Sequence, residues 1–361
     1  MKNSCPNFGV PATEELEFVY DNMECLVQGG KCVAIVPMQS ALAQSGKIYE
    51  WKKKILSQHT LEAVFSMPDE LFFNSDVGVV TCIMVFTAKR PHPAGKKTYF
   101  GYYKDDGFVK RKNKGRIDLY ERFEHDIKNK WLVNYQNKET IPGFSISKAV
   151  TSKDEWCPEA YMETDYSMLS KENFERTLID YCSFLLSNQM ASNIISDALD
   201  KNGYELNTEK WKLFPMTKLF DVSGSKTTSI LELEEYGKGK HPFVTTQATN
   251  NGIAGFYNYF TEKGNILTVD SAVLGYCSYQ PFDFSASDHV EKLNPKFKMN
   301  RYLGLFLATV INLEQYRYNY GRKASQTRLK EREIKLPAKG GEPDWEFMEK
   351  YIKSLPYSSS I

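Results

Sequence analysis

Nothing in this sequence of 361 residues stays apolar for long: no run approaches the roughly 18 residues needed to cross a bilayer core. No basic stretch followed by an apolar one opens the chain either, so the expectation is a cytoplasmic protein with no membrane partner. Paired cysteines are missing too. The seven present (Cys5, Cys25, Cys32, Cys82, Cys157, Cys182, Cys277) are odd in number, scattered and without a CxxC pair, and they read as reduced core residues rather than a disulfide framework. The five histidines (His59, His92, His125, His241, His289) show no ligand spacing, which argues against a structural zinc, and no metal site is expected. Net charge is equally scarce: 46 Lys and Arg stand against 45 Asp and Glu, a formal +1. Any surface for a polyanion must therefore come from local segregation of charge.

What is present is an ordinary globular composition, 42% hydrophobic and 25% charged, long enough for two or three domains. Tyr and Phe are abundant at 22 each, and such rings serve both cores and polar-tipped surfaces. The chain is organised around His241–Tyr320, where short β-prone runs are cut by polar turns before an apolar helix leads into a basic tail. Alternation at Phe243, Thr245 and Gln247, then Ile253 with Phe256, broken by Asn250-Asn251-Gly252, predicts a hairpin in which Gly252 takes positive φ. Glu262-Lys263-Gly264-Asn265 marks a second turn before Ile266, Thr268 and Asp270. The turns offer amides and hydroxyls, the groups that read hydrogen-bond patterns on base edges.

Charge is segregated in the same region. From Lys210 to Lys335, 18 Lys and Arg face 12 Asp and Glu, a surplus of 6, so the rest of the chain is −5. Arg317, Arg322, Lys323, Arg328, Lys330, Arg332 and Lys335 crowd its end, interleaved with Tyr316, Tyr318 and Tyr320, a composition suited to phosphate contacts.

Trp211-Lys-Leu-Phe-Pro-Met, HPFVTTQATNNGIAGF, LGYCSYQPFDFSASDHVEKL, YNYGRK and IKLPAKGGEPDWEFMEKYIKSL occur in this order. Together they resemble the target-recognition domains of restriction-modification specificity subunits, over roughly residues 210–356. The resemblance implies a domain that reads half of a bipartite DNA site in the major groove, followed by a helix that sets the spacing between halves and docks partner subunits. With one such domain, the chain is similar to half a specificity subunit, or to the tail of a fused methyltransferase-specificity polypeptide. On that basis Thr245, Thr246, Asn250 and Asn251 are expected at base edges, and Lys226, Lys240, Arg317, Arg322, Lys323 and Arg328 at phosphates.

The amino-terminal third alternates helix and strand. Thr13–Val27 is amphipathic, with Leu16, Val19, Tyr20, Met23, Leu26 and Val27 at helical spacing and Thr13 as candidate N-cap. Lys31–Pro37 reads as a fully buried strand, Ser45–Leu56 as a helix, and Leu61–Pro68 and Val77–Thr87 as two more strands. That order implies parallel neighbours in a doubly wound sheet, with an antiparallel last strand if the short final connection is a hairpin. GGKCVAIVP, HTLEAVFSMPDELFF and VGVVTCIMVFTAK resemble the carboxy-terminal half of adenine-N6 DNA methyltransferases of restriction-modification systems, over about residues 12–100. The family's glycine-rich turn for S-adenosylmethionine and its Asn-Pro-Pro-aromatic motif have no counterpart; Ser4-Cys5-Pro6-Asn7-Phe8 departs from the latter. No catalytic residue is therefore assigned. Adenine transfer needs a pocket for the flipped base, so the chain alone is not expected to methylate.

Between these regions, Tyr99–Arg116 gathers Lys110, Arg111, Lys112, Lys114 and Arg116 around glycines, read either as a loop along DNA or as a solvated hairpin edge. Asp118–Lys130 and Glu172–Asn188 are helix-prone, and the acids of residues 154–167 lack metal-ligand spacing. Glu333-Ile334-Lys335 spells a nuclease-like tripeptide but is placed at a helix exit. Asn300–Leu313 is an apolar helix, Trp345–Leu355 a one-faced helix expected to present a protein interface, and Ser358-Ser359-Ser360 a frayed tail.

The expected fold is thus α/β plus α+β: a partial doubly wound methyltransferase sheet in 1–110, a helical connector in 111–209, and a mixed β-rich target-recognition domain with a terminal helix in 210–361. Two functions are compatible with it. The chain supplies DNA recognition to a restriction-modification assembly, or it completes a methyltransferase whose S-adenosylmethionine and Asn-Pro-Pro-aromatic motifs come from a separate polypeptide; an inactive remnant is the third reading. The expected partners are double-stranded DNA, a modification polypeptide, and a restriction subunit or second recognition domain.

Overall fold

The computed structural model describes residues 14–69, 71–72, 79–112, 114–272 and 274–361. The chain divides into two compact units, Met1–Thr164 and Asp165–Ile361, each with its own core. The candidate N-cap Thr13 and the Ser4–Phe8 motif lie outside the described residues.

Unit 1 opens with α1 (Glu15–Glu24), which buries Leu16, Val19, Tyr20 and Met23, three or four residues apart along a single face. There follow β1 (Lys31–Pro37), α2 (Met38–Leu42), α3 (Gly46–Gln58), β2 (Thr60–Ser66), β3 (Thr81–Thr87) and β4 (Lys97–Tyr102). A short hairpin, β5 (Val109–Arg111) and β6 (Gly115–Ile117), precedes α4 (Lys128–Asn137), β7 (Ser145–Ala149) and α5 (Pro158–Tyr161). The sheet order is β1-β3-β2-β4-β7, and only β2 and β4 pair in parallel. This corrects the expected run of parallel neighbours. β1 and β2 do point the same way, but β3 returns antiparallel and inserts between them, so the helical crossover skips one position. Side chains alternate across the sheet. Cys82, Met84 and Phe86 enter the core under α1 and α3, while Ile83 and Val85 face the cluster of Phe65, Tyr99, Tyr103 and Trp131. β1 is an edge strand and not fully buried: Val33 is 65% and Ile35 57% exposed on the second face.

The helical connector does not exist as a separate body. Its first half places β7 beside β4 in the sheet of unit 1, and its second half supplies α6 (Lys171–Ser187) to unit 2, where Phe174, Leu178 and Tyr181 are buried. Tyr99–Arg116 contains β4 and the β5–β6 hairpin, with the Arg116 guanidinium forked onto Asp106 at 2.7 and 2.9 Å.

Unit 2 continues through β8 (Lys212–Pro215), α7 (Met216–Leu219), β9 (Phe220–Gly224), α8 (Ile230–Tyr236), β10 (Lys238–Val244) and β11 (Ile253–Tyr257). Next come β12 (Ile266–Asp270), β13 (Cys277–Gln280), β14 (Ser285–Ala286), β15 (Val290–Pro295) and α9 (Arg301–Asn312). It closes with α10 (Gln326–Lys330), β16 (Glu333–Leu336), the small pair β17 (Ala338–Lys339) and β18 (Glu342–Pro343), and α11 (Trp345–Lys353). Two sheets, β13-β12-β15-β9 and β11-β10-β14, carry most of the strands, and α9, whose Leu303 to Ile311 are all buried, packs on β13 and β12 of the first and on α6 and α11. Gly304 lets α9 meet β13, since a Cβ there would stand 2.4 Å from the Tyr279 ring.

Three expectations at this end are overturned. Glu333–Lys335 is no helix exit: it lies in β16, paired with β8. The apolar face of α11 is not free, because Met348, Tyr351, Ile352 and Leu355 are buried and Trp345 stacks on Phe297 at 3.9 Å. Ser358–Ser360 is not frayed. Ser358 is fully buried, its hydroxyl accepts the Leu199 amide at 2.9 Å and donates to the Lys353 carbonyl at 2.7 Å, and the Ser360 hydroxyl accepts the Ile195 amide at 2.8 Å. Of the described cysteines, none of which is in a disulfide, Cys82, Cys157, Cys182 and Cys277 are buried as expected, but Cys25 is exposed.

Candidate nucleic-acid interface

The hairpin of β10 and β11 forms as the alternation predicts, and its connection carries the four residues assigned to base edges. Gly252 takes φ +77, and Asn250 and Asn251 sit beside it at φ 50 and 53, a left-handed pair that asparagine tolerates better than most residues. Their side chains are committed to the fold. The Asn250 amide donates to the Ile253 carbonyl at 2.7 Å and its oxygen accepts from Asn188 at 3.0 Å. The Asn251 amide donates to the Tyr279 carbonyl at 2.8 Å. Since β13 is the edge of its sheet, and Asn312 takes both the amide and the carbonyl of Cys277 at 2.7 and 2.9 Å, two asparagine side chains occupy that edge where another strand would add. Thr245 donates its backbone amide to Gly252 at 2.7 Å, and Thr245 and Thr246 are both half-buried.

The phosphate candidates divide. Lys226 and Lys240 are exposed, and Lys323 and Arg328 are half-buried, Arg328 donating to the Lys323 carbonyl at 2.9 Å. Arg317 and Arg322 are 5% and 1% exposed and cannot reach a phosphate. Arg317 pairs with buried Glu314, and the Arg322 guanidinium donates to the Arg317 carbonyl at 2.9 Å, so they brace the turn after α9. Charge density alone cannot tell a buried arginine from a surface one, and the motif YNYGRK gave no sign of it. Two cations outside the assigned set lie by the same hairpin: Lys238, over the Tyr257 ring at 4.1 Å, and Lys263, paired with Asp283 at 2.8 Å. The Lys263 hydrogen bond holds the Asp283 carboxyl below its usual range.

A cleft of about 480 Å³ opens between α6, residues 248–251, β13 and α9. Its charged rim, Arg176 and Asp180, is self-paired at 3.4 Å. Burial pushes Tyr276 up to about 12 and raises the Cys277 thiol, so neither supplies a base or nucleophile near neutral pH. Among the described residues no group of three His, Cys, Asp or Glu is placed to hold a metal ion, and no helix is long and apolar enough to cross a membrane.

Residues 208–356 match the family model of the type I restriction modification DNA specificity domain, and residues 7–163 that of N-6 DNA methylase. The chain joins an N-6 DNA methylase domain to a type I restriction-modification specificity domain. Two curated relatives come from Heyndrickxia coagulans. The type II restriction enzyme and methyltransferase RM.BcgI is 33% identical over 47% of this chain and 26% of its own length. The specificity subunit S.BcgI is 33% identical over 48% of this chain and 52% of its own. The chain thus spans about half of the one and a quarter of the other. The type I S subunit from M. genitalium overlaps 91% of the chain and 90% of its own at 10% identity and a TM-score of 0.32.

Where β1 ends, the methylase domain has no glycine-rich turn of the kind that would hold a methyl donor. β1 runs through Pro37 directly into α2 at Met38, without the glycine turn that would admit a nucleotide-like group at a strand's end. Ser66 and Glu159, 2.7 Å apart, are buried by α5, and Lys52 donates to the carbonyls of Ala41, Ala43 and Asp154. These are structural contacts, and no reaction step is assigned to them.

Proposed function

We propose that the chain supplies sequence-specific recognition of double-stranded DNA to a restriction-modification assembly that contains an adenine-specific DNA methyltransferase. The observation that carries this reading is the coincidence, within the specificity domain, of the family match with exposed Lys226 and Lys240 beside the β10–β11 hairpin. Ammonium groups on a rigid hairpin neutralise phosphates and release counterions, which fixes the protein on the duplex while neighbouring polar groups meet base edges. With the side chains of Asn250 and Asn251 engaged and the Thr245 hydroxyl donating to the Gly252 carbonyl at 3.4 Å, Thr246 is the member of the assigned set left to face a base, and the asparagines hold their connection in shape. Selecting from a random duplex library with the full chain, without methyl donor, tests the reading. It predicts an enriched sequence, and an unenriched pool would count against it.

The methylase domain favours a second, compatible reading, in which S-adenosylmethionine and the Asn-Pro-Pro-aromatic motif arrive on a modification polypeptide. The observation is the exposed edge of β1 with Val33 and Ile35, an apolar strip suited to an added strand. Methyl transfer that appears on mixing with such a polypeptide, and that Val33→Lys abolishes, would support it. A restriction subunit or second recognition domain completes the expected assembly.

A further inference from the structure

The two sequence stretches HPFVTTQ and YQPFDFS, far apart in the chain, meet at one exposed spot of unit 2. His241, half-buried in β10, packs against Phe260 with ring centroids 4.5 Å apart and the planes tilted by 36°, and its Nδ1 lies 3.2 Å from the Asp283 carbonyl. The Lys263 ammonium sits 5.0 Å over the same Phe260 ring and pairs with Asp283, whose other oxygen accepts the Gly264 amide at 2.9 Å. Phe282 precedes Asp283, and its backbone is pressed against Gly264, where a Cβ would stand 2.4 Å from the Phe282 carbonyl carbon. Both phenylalanines nonetheless face water, Phe260 at 38% and Phe282 at 43% exposure. Two exposed phenylalanines held by backbone and side-chain contacts at one spot of the surface mark a contact surface. Exposed lysines flank it: Lys240 adjoins His241, and the Lys226 backbone amide is held by Glu262, next to Lys263, at 2.6 Å.

We infer that His241, Phe260 and Phe282 form a ledge that stacks against a nucleobase displaced from its neighbours, with Lys226 and Lys240 on the adjoining phosphates. The inference rests on the DNA-recognition reading and deepens it. A flat aromatic face within reach of ammonium groups complements a base joined to a phosphate, since every base presents a π-face and every linkage a charge. The acidic α8, with exposed Glu232, Glu234 and Glu235, lies in the chain between Lys226 and Lys240, and its Tyr236 stacks on Tyr259, the neighbour of Phe260, at 4.2 Å. Hydrogen-bond readout is not required of the ledge; it would hold the strand while polar groups elsewhere read sequence.

The test measures binding of the full chain to two labelled dodecamers at low salt, one a mixed-sequence oligodeoxynucleotide and one an abasic strand with the same phosphates. A mixed-sequence duplex runs in parallel. The wild-type chain is expected to prefer the base-bearing strand by about fivefold or more. Phe260→Ala and Phe282→Ala should bring that ratio towards one while leaving affinity for the abasic strand in place, and Phe282→Trp should restore it. Both side chains are exposed, so unchanged thermal melting is expected and separates a binding defect from misfolding. Equal wild-type affinity for the two strands, as a ledge that faces protein would give, overturns the inference. So does a preference that survives both alanine changes. Duplex binding without strand preference sinks the ledge alone; no binding to duplex or strand sinks the DNA reading as well.

Discussion

Asn251 shows how a residue type that suits base readout can be spent on the fold instead. Its amide closes the β13 edge at Tyr279 and its backbone is left-handed, so Asn251→Ala should cost about 1–3 kcal/mol of stability in unit 2, measured by denaturant unfolding, rather than selectively weakening one DNA sequence. Lys240→Ala should do the reverse: stability holds, affinity falls alike on all duplexes, and the slope of log affinity against log salt flattens by about one. Arg322→Ala belongs with the first kind, because a 1% exposed guanidinium leaves a cavity and an orphaned carbonyl at Arg317; a loss of about 3 kcal/mol is expected. In unit 1, Glu62 is the residue to watch with pH. Burial pushes its carboxyl up, but the hydrogen bonds from Lys96 and Thr87 outweigh that and hold it down at about 2. Its folded pKa is depressed, so its contribution is present above the unfolded value near 4.5 and is lost as pH falls from there through about 2. Unfolding free energies of wild type and Glu62→Gln should converge over that window. Lys52 has the opposite sign: burial lowers it to about 8 against 10.5, so its ammonium is penalised in the fold and unit 1 gains stability as pH rises from 8 towards 10. Lys52→Met should remove that rise.

At the level of elements, local pattern was legible wherever one face of a helix or one strand decided it. The apolar spacing of α1, α3, α6, α9 and α11, the β10–β11 hairpin and the β2–β3 return were all readable, because burial enforces periods of 3.6 and 2 on contiguous residues. What was not legible depended on contacts between distant segments. β3 entering between β1 and β2 leaves no local trace, nor does β7 joining β4 across the intervening α4. The boundary expected near residue 110 fell instead at 164 for that reason. Ser358-Ser359-Ser360 looked like solvent-bound tail because its partners, Ile195 to Leu199, are some 160 positions away. This serine staple carries its own prediction. Removing Ser358–Ile361 should free the 195–200 segment, which limited proteolysis would detect as a new cut there, while Ser359→Ala alone, touching only the exposed Asp197 carbonyl, should leave the pattern unchanged. Among the assigned phosphate residues, the exposure of Lys226 and Lys240 fits the reading made of them; the burial of Arg317 and Arg322 was not legible, because tyrosine-rich basic runs read the same whether they brace a core or face solvent.

Taken whole, the molecule joins two units with separate cores: a mixed sheet in a region that matches the N-6 DNA methylase family, and a specificity domain built around α9. The proposed division of labour places DNA contact in the second unit and transfer chemistry on a partner. Its most direct test is the affinity of the purified full chain for duplex DNA, measured without methyl donor as salt is raised from about 50 to 200 mM. The account predicts binding that weakens steeply with salt and favours one duplex sequence over the rest. No measurable affinity for any duplex at the lowest salt, or methyl transfer by the chain alone, would contradict it.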